Sequence, residues 1–182
     1  ATRNLNLRGK GDFHISRNVD NIPLTGFNTG TGDLFDLENV ASFELFRGAI
    51  PAYASLSVSH TTGVMNMSLR RPEEKFGAEI HQGFGSDNFR RTFVRVDSGQ
   101  IGSTGTSFFL PASDTKADKW KGAGTAGDRE NLSFGIAQSF TNGARLELFA
   151  VNNHTEAHTF RAMNYAQMQD KNNWRTWPIM TR

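Results

Sequence analysis

Two histidines and a glutamate near the end of the chain have the spacing of a small ligand set. His154, Glu156 and His158 lie two residues apart, and a β-strand would point all three side chains to one face. Imidazole and carboxylate groups on one face could bind a metal ion or contact a haem. The alternative is a solvated polar loop, the commoner origin of such a run. We therefore predict no metal site and no cofactor.

Other residue types that carry catalysis occur without the arrangement that catalysis needs. Serine, histidine and aspartate are plentiful, but the sequence has no G-x-S-x-G motif and no ordered set of partners. We interpret Asp33 and Asp36 as charge at the start of a helix, and Glu73 and Glu74 as a solvated linker. No catalytic residue is predicted, and the chain is not expected to be an enzyme.

The composition narrows the class of protein further. The 182 residues include 20 basic and 18 acidic side chains, for a net charge of +2. Because they form no basic block, no nucleic-acid partner is expected. The absence of cysteine excludes thiolate metal sites, disulfides and cysteine nucleophiles. No apolar run approaches the length of a spanning helix, whereas barrel strands stay possible because their hydropathy signal is weak. The start at Ala1, without a secretion signal, predicts a processed or excised chain.

The second half of the chain alternates between large apolar and small or polar residues, as β-strands do. Pro111 lies inside one of these segments and predicts an edge strand or a bulge. The tail from Asn152 is polar and is expected to be a long loop with a sixth strand of unassigned position. The predicted strands are 78–85, 89–97, 106–115, 131–140 and 145–153.

The strand 131–140 has one apolar face and one uniformly small face. A barrel wall has this pattern, with lipid outside and a packed lumen inside, but a soluble antiparallel sheet has the same period. For a barrel, arginine should be tolerated more easily at Ser133 than at Phe134. The residues expected to face lipid are Leu132, Phe134, Ile136, Phe140, Leu146 and Leu148, and those expected to face inward are Ser133, Gly135, Ala137 and Ser139.

The first part of the chain combines short strands with turns. The segment 33–39 begins with an aspartate that suits a helix N-terminus. Strands are predicted over 40–46, where apolar and polar residues alternate, and over 63–70, which ends before Pro72. The stretch 19–24 contains Asp-Asn, which is typical of a tight hairpin.

Several short motifs occur in one order over roughly the first 75 residues. They resemble the plug domain of TonB-dependent outer-membrane receptors. Each motif alone is weak, but their collinearity makes chance a poor explanation. The motifs are Arg8-Gly9, Val19-Asp20-Asn21-Ile22-Pro23-Leu24, Asp36-Leu37-Glu38-Asn39-Val40, Glu44-Leu45-Phe46-Arg47-Gly48, Gly63-Val64-Met65-Asn66-Met67 and Arg71-Pro72.

The sequence departs from the usual pattern of that family at four turns. Asn21 stands for the usual glycine, Ala49 for proline, Ala54 for the glycine after Tyr53, and Thr62 for the first glycine of a pair. These substitutions alter the turns, but the order of the motifs is kept. The chain therefore resembles a divergent member of the family.

The resemblance implies a mixed fold class. A small α/β plug segment, residues 1–75, would contain the C-terminal part of the plug, and residues 76–182 would form antiparallel transmembrane β-barrel strands. Receptors of this kind have about 22 strands of about 10 residues, or about 220 residues of wall. That exceeds the 182 residues of this chain. We therefore expect residues 76–182 to form an open, curved sheet of five or six strands.

The resemblance also implies contacts between plug and barrel. Arg8, Arg47, Arg70 and Arg71 are expected to pair with acidic groups on the barrel wall. Such a polar interface would hold the plug in the lumen and leave it movable. The alternative is that they are ordinary exposed arginines.

Loops at the outward apex of the plug are expected to touch the ligand first. Lys10 offers charge to an anionic chelate, Phe27 an aromatic surface, and Asn28 and Thr29 hydrogen bonds. The alternative is that these loops are only glycine-rich turns. The stretch 25–32 lacks the lysine followed by serine or threonine of a phosphate-binding loop.

The function implied by the resemblance is active uptake of a scarce ligand across the bacterial outer membrane. The ligand of such receptors is most often an iron–siderophore complex, and less often cobalamin, haem or an oligosaccharide. The expected partners are the TonB energy-coupling complex, that ligand and outer-membrane lipid. Two alternatives stay open: a soluble or secreted β-rich binding module, and a truncated receptor remnant that no longer transports.

Overall fold

The described part of the chain is mostly antiparallel β-sheet with almost no helix. A computed structural model describes residues 15–24, 34–54, 62–120 and 124–159, together with Tyr165 and the pair Met180–Thr181. These residues form a four-stranded sheet followed by a five-stranded sheet. No helix in the described ranges has the length and apolar character needed to cross a membrane.

The four-stranded sheet is mixed. Its strands are β1 (Ile15–Val19), β2 (Ile22–Pro23), β3 (Val40–Phe46) and β4 (Gly63–Leu69), in the order β2-β1-β4-β3. The predicted strands over 40–46 and 63–70 are confirmed. Strand β1 is buried along its whole length and runs parallel to β4, whereas the other pairs are antiparallel.

The predicted Asp-Asn hairpin between β1 and β2 is confirmed. Asp20 and Asn21 have φ angles of 49° and 65°, the left-handed values that both central residues of this turn need. Asparagine visits that region more readily than other residues with a side chain, so the replacement of the usual glycine keeps the turn. The buried Asn66 secures it, because its Oδ1 accepts the Asn21 N–H at 2.9 Å.

The helix start predicted over 33–39 is wrong within the described residues. Leu37–Asn39 is a single 3-10 turn, and Asp36 at its N-cap makes no capping bond with its side chain. Ala52–Ala54 is a second 3-10 turn. The Asp36 carboxylate is instead bonded to the five-stranded sheet.

The five-stranded sheet is an antiparallel meander. Its strands, in spatial and chain order, are β5 (Phe76–Phe84), β6 (Arg90–Ser98), β7 (Thr106–Lys116), β8 (Asp128–Ser139) and β9 (Arg145–Glu156). Strands β5 and β9 each pair with one neighbour of this sheet, so the sheet is open, as predicted. Beyond it, β10 (His158–Thr159) pairs with β11 (Met180–Thr181).

The prediction that Pro111 marks an edge or a bulge is wrong. Strand β7 is central, between β6 and β8, and Pro111 is fully buried. The pairing with β8 passes from Phe109↔Gly135 to Ala112↔Leu132 without a change of register. Leu110 and Pro111 have no paired residue in β8. The strand therefore accommodates proline, which has no N–H to donate, by an interruption of the pairing with β8.

The two faces of the five-stranded sheet differ largely as predicted. Of the residues predicted to face outward, Ile136 is half-buried, and the exposed ones are Leu132, Phe134, Phe140, Leu146 and Leu148. The opposite face packs against the four-stranded sheet, and there Ser133, Gly135 and Ala137 are buried, whereas Ser139 is exposed. A small apolar core lies between the sheets, formed by Val19, Phe35, Met67 and Leu69, with Val151 of β9 packed against it.

Candidate functional site

The surface where the two sheets meet is rich in ion pairs and charged hydrogen bonds. We call this surface the intersheet interface. One side consists of the segment 34–39, the Asp20 turn and the link 70–73, and the other is the inward face of β5 to β9. Since side chains of a strand alternate between faces, β6 directs Arg91, Phe93, Arg95 and Asp97 inward.

Asp36 is a centre of this interface. Its side chain is fully buried and accepts bonds from Arg91 at 3.0 Å and Arg129 at 3.1 Å, and from the Ser113 hydroxyl at 2.7 Å. These partners come from β6, β8 and β7, so one carboxylate joins the segment 34–39 to three strands. A buried charge is tolerated only with such partners, because desolvation of a lone carboxylate is costly.

Neighbouring contacts strengthen the attachment of the same segment. The Glu38 carboxylate accepts two bonds from Arg91, at 3.2 and 2.9 Å. The Asn131 amide of β8 donates to the Leu34 carbonyl at 2.8 Å. The segment 34–39 is thus bonded through both side chains and backbone.

Arg95 is fully buried and forms the second charged centre. Its guanidinium donates two bonds to Asp97, at 2.8 and 2.9 Å, in the bidentate geometry that arginine favours. It also donates to the Arg71 carbonyl at 3.0 Å and lies 4.2 Å from the centre of the Phe109 ring. Asp97 in turn accepts the Glu73 N–H at 3.1 Å, which ties the link to β6.

The link 70–73 contributes two arginines. Arg70 pairs with Glu79 of β5 at 2.6 Å, and Arg71 pairs with Asp20 at 2.9 Å and with Glu147 of β9 at 2.8 Å. Burial alone would lower the pKa of Arg71, but the two carboxylates outweigh it and the pKa is raised above its usual value. Arg71 therefore stays charged.

Aromatic rings fill the space between the charged centres. Phe149 of β9 lies 5.8 Å from both Phe35 and Phe109, measured between ring centres. The Phe109 ring rests on Gly135, its cross-strand partner, where a β-carbon would overlap the ring. The glycine is therefore required by this contact.

Solved structures with a similar fold include two outer-membrane receptors. The ferric-catecholate import receptor Fiu from E. coli K12 matches with a TM-score of 0.70 and 22% identity, over 86% of this chain and 22% of that chain. The pyoverdine outer membrane receptor FpvA from Pseudomonas aeruginosa PAO1 matches with a TM-score of 0.69 and 17% identity, over 85% of this chain and 22% of that chain. The fold is that of part of an outer-membrane receptor.

This chain spans about a fifth of the length of either receptor, 22% in both cases. Both are named as receptors. No family model matches the sequence, and no match was found among the curated proteins.

Within the receptor fold, the arginines predicted to contact the barrel fall into three groups. Arg70 and Arg71 pair with side chains of the five-stranded sheet. Arg47 follows β3, is exposed, and forms no ion pair with any described residue. Arg8 lies outside the described residues, as do the predicted ligand-contacting residues Lys10, Phe27, Asn28 and Thr29.

The histidine–glutamate set does not assemble. His154 and Glu156 are exposed on β9, whereas His158 lies on β10, where its Nδ1 accepts the Thr125 N–H at 3.3 Å. Within the described ranges, no three metal-binding side chains come together.

The most strongly bonded residues of the interface were missed by the sequence interpretation. Asp36 was assigned to a helix start, and Arg91, Arg95 and Arg129 were given no role. A signal was present in β6, where Arg91, Arg95 and Asp97 alternate with Thr92, Val94 and Val96. That pattern places charge on one face and apolar groups on the other.

Proposed function

We propose that the chain is part of a TonB-dependent outer-membrane receptor that imports a ferric siderophore. In this proposal residues 1–75 belong to the plug, and residues 76–182 are the first strands of the transmembrane barrel. The remaining wall, on the edges of β5 and β9, would come from residues beyond this chain.

The observation that carries the proposal is the inverted character of the five-stranded sheet. Its exposed face presents large apolar side chains, whereas its covered face presents paired charges to a second sheet. A soluble sheet buries its apolar face, because water is outside. A barrel wall around a packed polar lumen has the opposite arrangement.

The character of the intersheet interface supports a movable plug. Its apolar core is small, and the ion pairs of the link 70–73 are partly exposed, so water can replace their contacts when the surfaces separate. A plug that must shift to admit a ligand needs such a surface. Arg70 and Arg71 would then be plug residues that contact the barrel, and Asp36 and Glu38 would be plug residues that receive contacts from it.

The ligand class and the energy source rest on the resemblance and on the names of the two similar receptors. The first is named as an import receptor for ferric catecholates, and the second is bound to pyoverdine. Catecholate siderophores and pyoverdine both chelate iron. By analogy, the TonB complex would supply the energy from the inner membrane, and outer-membrane lipid would surround the wall. Lys10, Phe27, Asn28 and Thr29 remain the proposed first contacts of the ligand.

Expression of the full-length protein tests the proposal at two levels. Cell fractionation and heat-modifiable migration on gels report membrane insertion, and uptake of radioactive iron as a ferric catecholate or as ferric pyoverdine reports transport. We expect outer-membrane location and TonB-dependent uptake of at least one chelate, with the same strain lacking TonB as the control. A soluble product would favour a secreted binding module. A membrane product without uptake of either chelate would overturn the ligand class.

A further inference from the structure

We propose that the outward face of the five-stranded sheet binds a phosphate group of an outer-leaflet lipid, between Arg90 of β6 and Lys116 of β7. The inference rests on the proposed function, because it takes this face to be the lipid-facing wall of a barrel. It adds to that wall a specific site, in which two cations hold one phosphate.

The two cations are cross-strand partners on the outward face. Arg90 and Lys116 lie directly opposite each other in the pairing of β6 with β7. Both side chains point outward, because Arg91 and Thr115, their neighbours in sequence, are on the inward face. Like charges that lie directly opposite on antiparallel strands repel each other. An anion bound between them would replace this repulsion by attraction.

The outward cations lack the strong carboxylate partners of the inward ones. Arg90 is exposed and forms no ion pair with any described residue. Lys116 has only Asp114, at 3.8 Å, and the two side chains are 42% and 51% exposed, so this pair is weak. The inward Arg91 and Arg95 of β6 are instead closely paired with carboxylates. The outward pair is therefore open to an anion from outside the described chain.

The exposure of this pair belongs to the outward face itself. Strand β6 lies between β5 and β7, and β7 lies between β6 and β8. Further wall strands on the edges of the sheet would leave the outward side of both central strands uncovered.

The pair lies just beyond the apolar band of the outward face. The outermost apolar row crosses four strands through Ile80, Val94, Ala112 and Leu132. Arg90 precedes Val94 by four residues, which is about 13 Å along the strand. For a strand tilted by about 40°, the height above this row is about 10 Å. Since a headgroup layer is about 5–7 Å thick and long cationic side chains can lean toward it, Arg90 reaches the level of lipid phosphates.

The connections between strands assign this end to the outer leaflet. The connections near the pair are 85–89 and 117–127, and those at the opposite end are 99–105 and 140–144. The longest of the four is thus on the side of the pair, and outer-membrane barrels have their longer loops outside the cell. Lipopolysaccharide forms that leaflet, and its lipid A part carries phosphate groups.

The neighbours of Arg90 toward β5 suit a lipid headgroup. Phe84, its cross-strand partner on β5, is 79% exposed, and aromatic rings are common at the border of the apolar band. In the next row, the Thr92 hydroxyl donates to Gln82 Oε1 at 2.8 Å. The Gln82 amide N–H groups stay available for a phosphate or sugar oxygen. Because Asp114 lies on the other side, the phosphate is expected between Lys116 and β5.

Arginine and lysine are the side chains expected at such a site. The guanidinium group donates several N–H bonds in a plane, which matches two phosphate oxygens, and the ammonium group adds a second charge. Basic residues near a membrane surface attract anionic lipids in the same way.

The test measures lipid binding to the purified full-length protein in detergent, by native mass spectrometry after removal of co-purified lipid. The three probes are lipid A with both phosphates, the same lipid A without phosphates, and phosphatidylglycerol. We expect phosphorylated lipid A to bind at least tenfold more tightly than the other two. Equal binding of phosphatidylglycerol would overturn the assignment to the outer-leaflet lipid.

Arg90→Gln and Lys116→Gln should each weaken binding of phosphorylated lipid A about fivefold, the effect of one basic residue, and leave binding of the dephosphorylated lipid unchanged. Asp114→Asn should tighten binding, because Lys116 loses a competing carboxylate. Heat-modifiable migration on gels shows that each variant is folded.

Lys75→Gln is the matched control. Lys75 is also exposed and without an ion pair among the described residues, but it precedes β5 at the opposite end of the sheet. This variant removes one positive charge and should leave binding of lipid A unchanged.

Unchanged binding in both Arg90→Gln and Lys116→Gln, or equal weakening by Lys75→Gln, would overturn the site. Weaker binding in Asp114→Asn would also overturn it, because the carboxylate would then hold the lipid. The measurement requires no iron and no TonB. A protein that transports iron can therefore fail this test and keep the proposed function, whereas a soluble product would overturn both.

Discussion

The two faces of the five-stranded sheet differ in the side chains that they expose and bury. The outward face exposes large apolar side chains, and the inward face buries charged and polar ones. The outward set includes Phe76, Ile80, Phe84, Leu110, Leu132, Phe134, Leu146 and Leu148, and the buried inward set includes Arg95, Asp97, Ser113, Asn131 and Ser133. Burial in this sheet is thus decided by contact with the second sheet, where paired charges are buried beside Phe93 and Phe109.

This contrast explains why both faces would be stable in the proposed membrane wall. On the outward face, apolar groups would meet lipid tails, where a charge is expensive and a methyl group is not. On the inward face, each buried charge has an opposite charge within bonding distance, as Arg95 has Asp97 at 2.8 Å. Removing a charge from the inward face or adding one to the outward face should therefore lower the free energy of unfolding. The physical reason differs between the two faces.

The largest expected effect comes from breaking the buried pair on the inward face. Arg95→Met leaves Asp97 charged and buried without its ion-pair partner, so the free energy of unfolding should fall by about 3–5 kcal/mol. Urea unfolding of the full-length protein in detergent, followed by tryptophan fluorescence, measures the loss.

Arg145→Met is the matched control. Arg145 also pairs with a carboxylate two residues on, at the same 2.8 Å, but both side chains are half-exposed. The control should cost less than about 1 kcal/mol. Similar losses for the two variants would contradict the role given to burial.

The next effect concerns the outward face. Phe134→Arg places a charge near the middle of the proposed lipid-facing band and should cost about 2–4 kcal/mol, measured by unfolding from lipid vesicles. Glu130→Arg, on the same face of β8 but beyond the apolar band, should cost no more than about 1 kcal/mol. If both arginines are tolerated equally, the face does not meet lipid.

The third effect concerns close packing at the centre of the inward face, where Gly135→Ala adds a methyl group. The added methyl group overlaps the Phe109 ring, so the free energy of unfolding should fall by about 1–3 kcal/mol. Combining it with Phe109→Leu should recover part of the loss, because the two residues are in contact.

Gly77→Ala is the control for this overlap. Gly77 lies in the same cross-strand row, through Asp97 and Phe109, but has nothing within 4 Å of an added β-carbon. Its cost should stay within about 0.5 kcal/mol. An equal cost at Gly77 would indicate a general intolerance of side chains in that row.

The smallest effect is expected at the proposed ligand loop. Phe27→Ala combined with Asn28→Ala should weaken binding of a ferric catecholate or of ferric pyoverdine at least tenfold, about 1.4 kcal/mol, without a change in expression. Titration of the full-length protein by fluorescence quenching measures the dissociation constant. Unchanged binding of both chelates would remove this loop from the site.

The sequence predicts that arginine is tolerated more easily at Ser133 than at Phe134, and the structure changes that expectation. Ser133 is 2% exposed, and its hydroxyl donates to Asn131 at 3.1 Å. An arginine would have to displace the second sheet. An inward position in a filled lumen is therefore no more permissive than an outward one, which is why Glu130 serves as the control above.

Local structure was predictable because its causes are local. Strand β3 was predicted with the bounds it has, Val40–Phe46, from alternation ended by Arg47-Gly48. The wrong expectations, at Pro111 and at the helix start, concern features whose outcome depends on distant neighbours. Pro111 is central because β8 pairs beside it, and Asp36 leaves the cap because three distant side chains bind it.

The strands β3 to β9, the turn at Asp20-Asn21 and the division of β8 into an apolar and a small-residue face could be predicted from the sequence, since each depends on residues a few positions apart. Three other features depend on contacts between distant segments: β1 pairs in parallel with β4, Phe109 rests on Gly135, and Asp36 holds the two sheets together. The partners of Asp36 include Arg91 and Ser113, which follow it by 55 and 77 residues. A carboxylate carries no local mark of a partner so distant, because the pairing exists only after both sheets have formed and met.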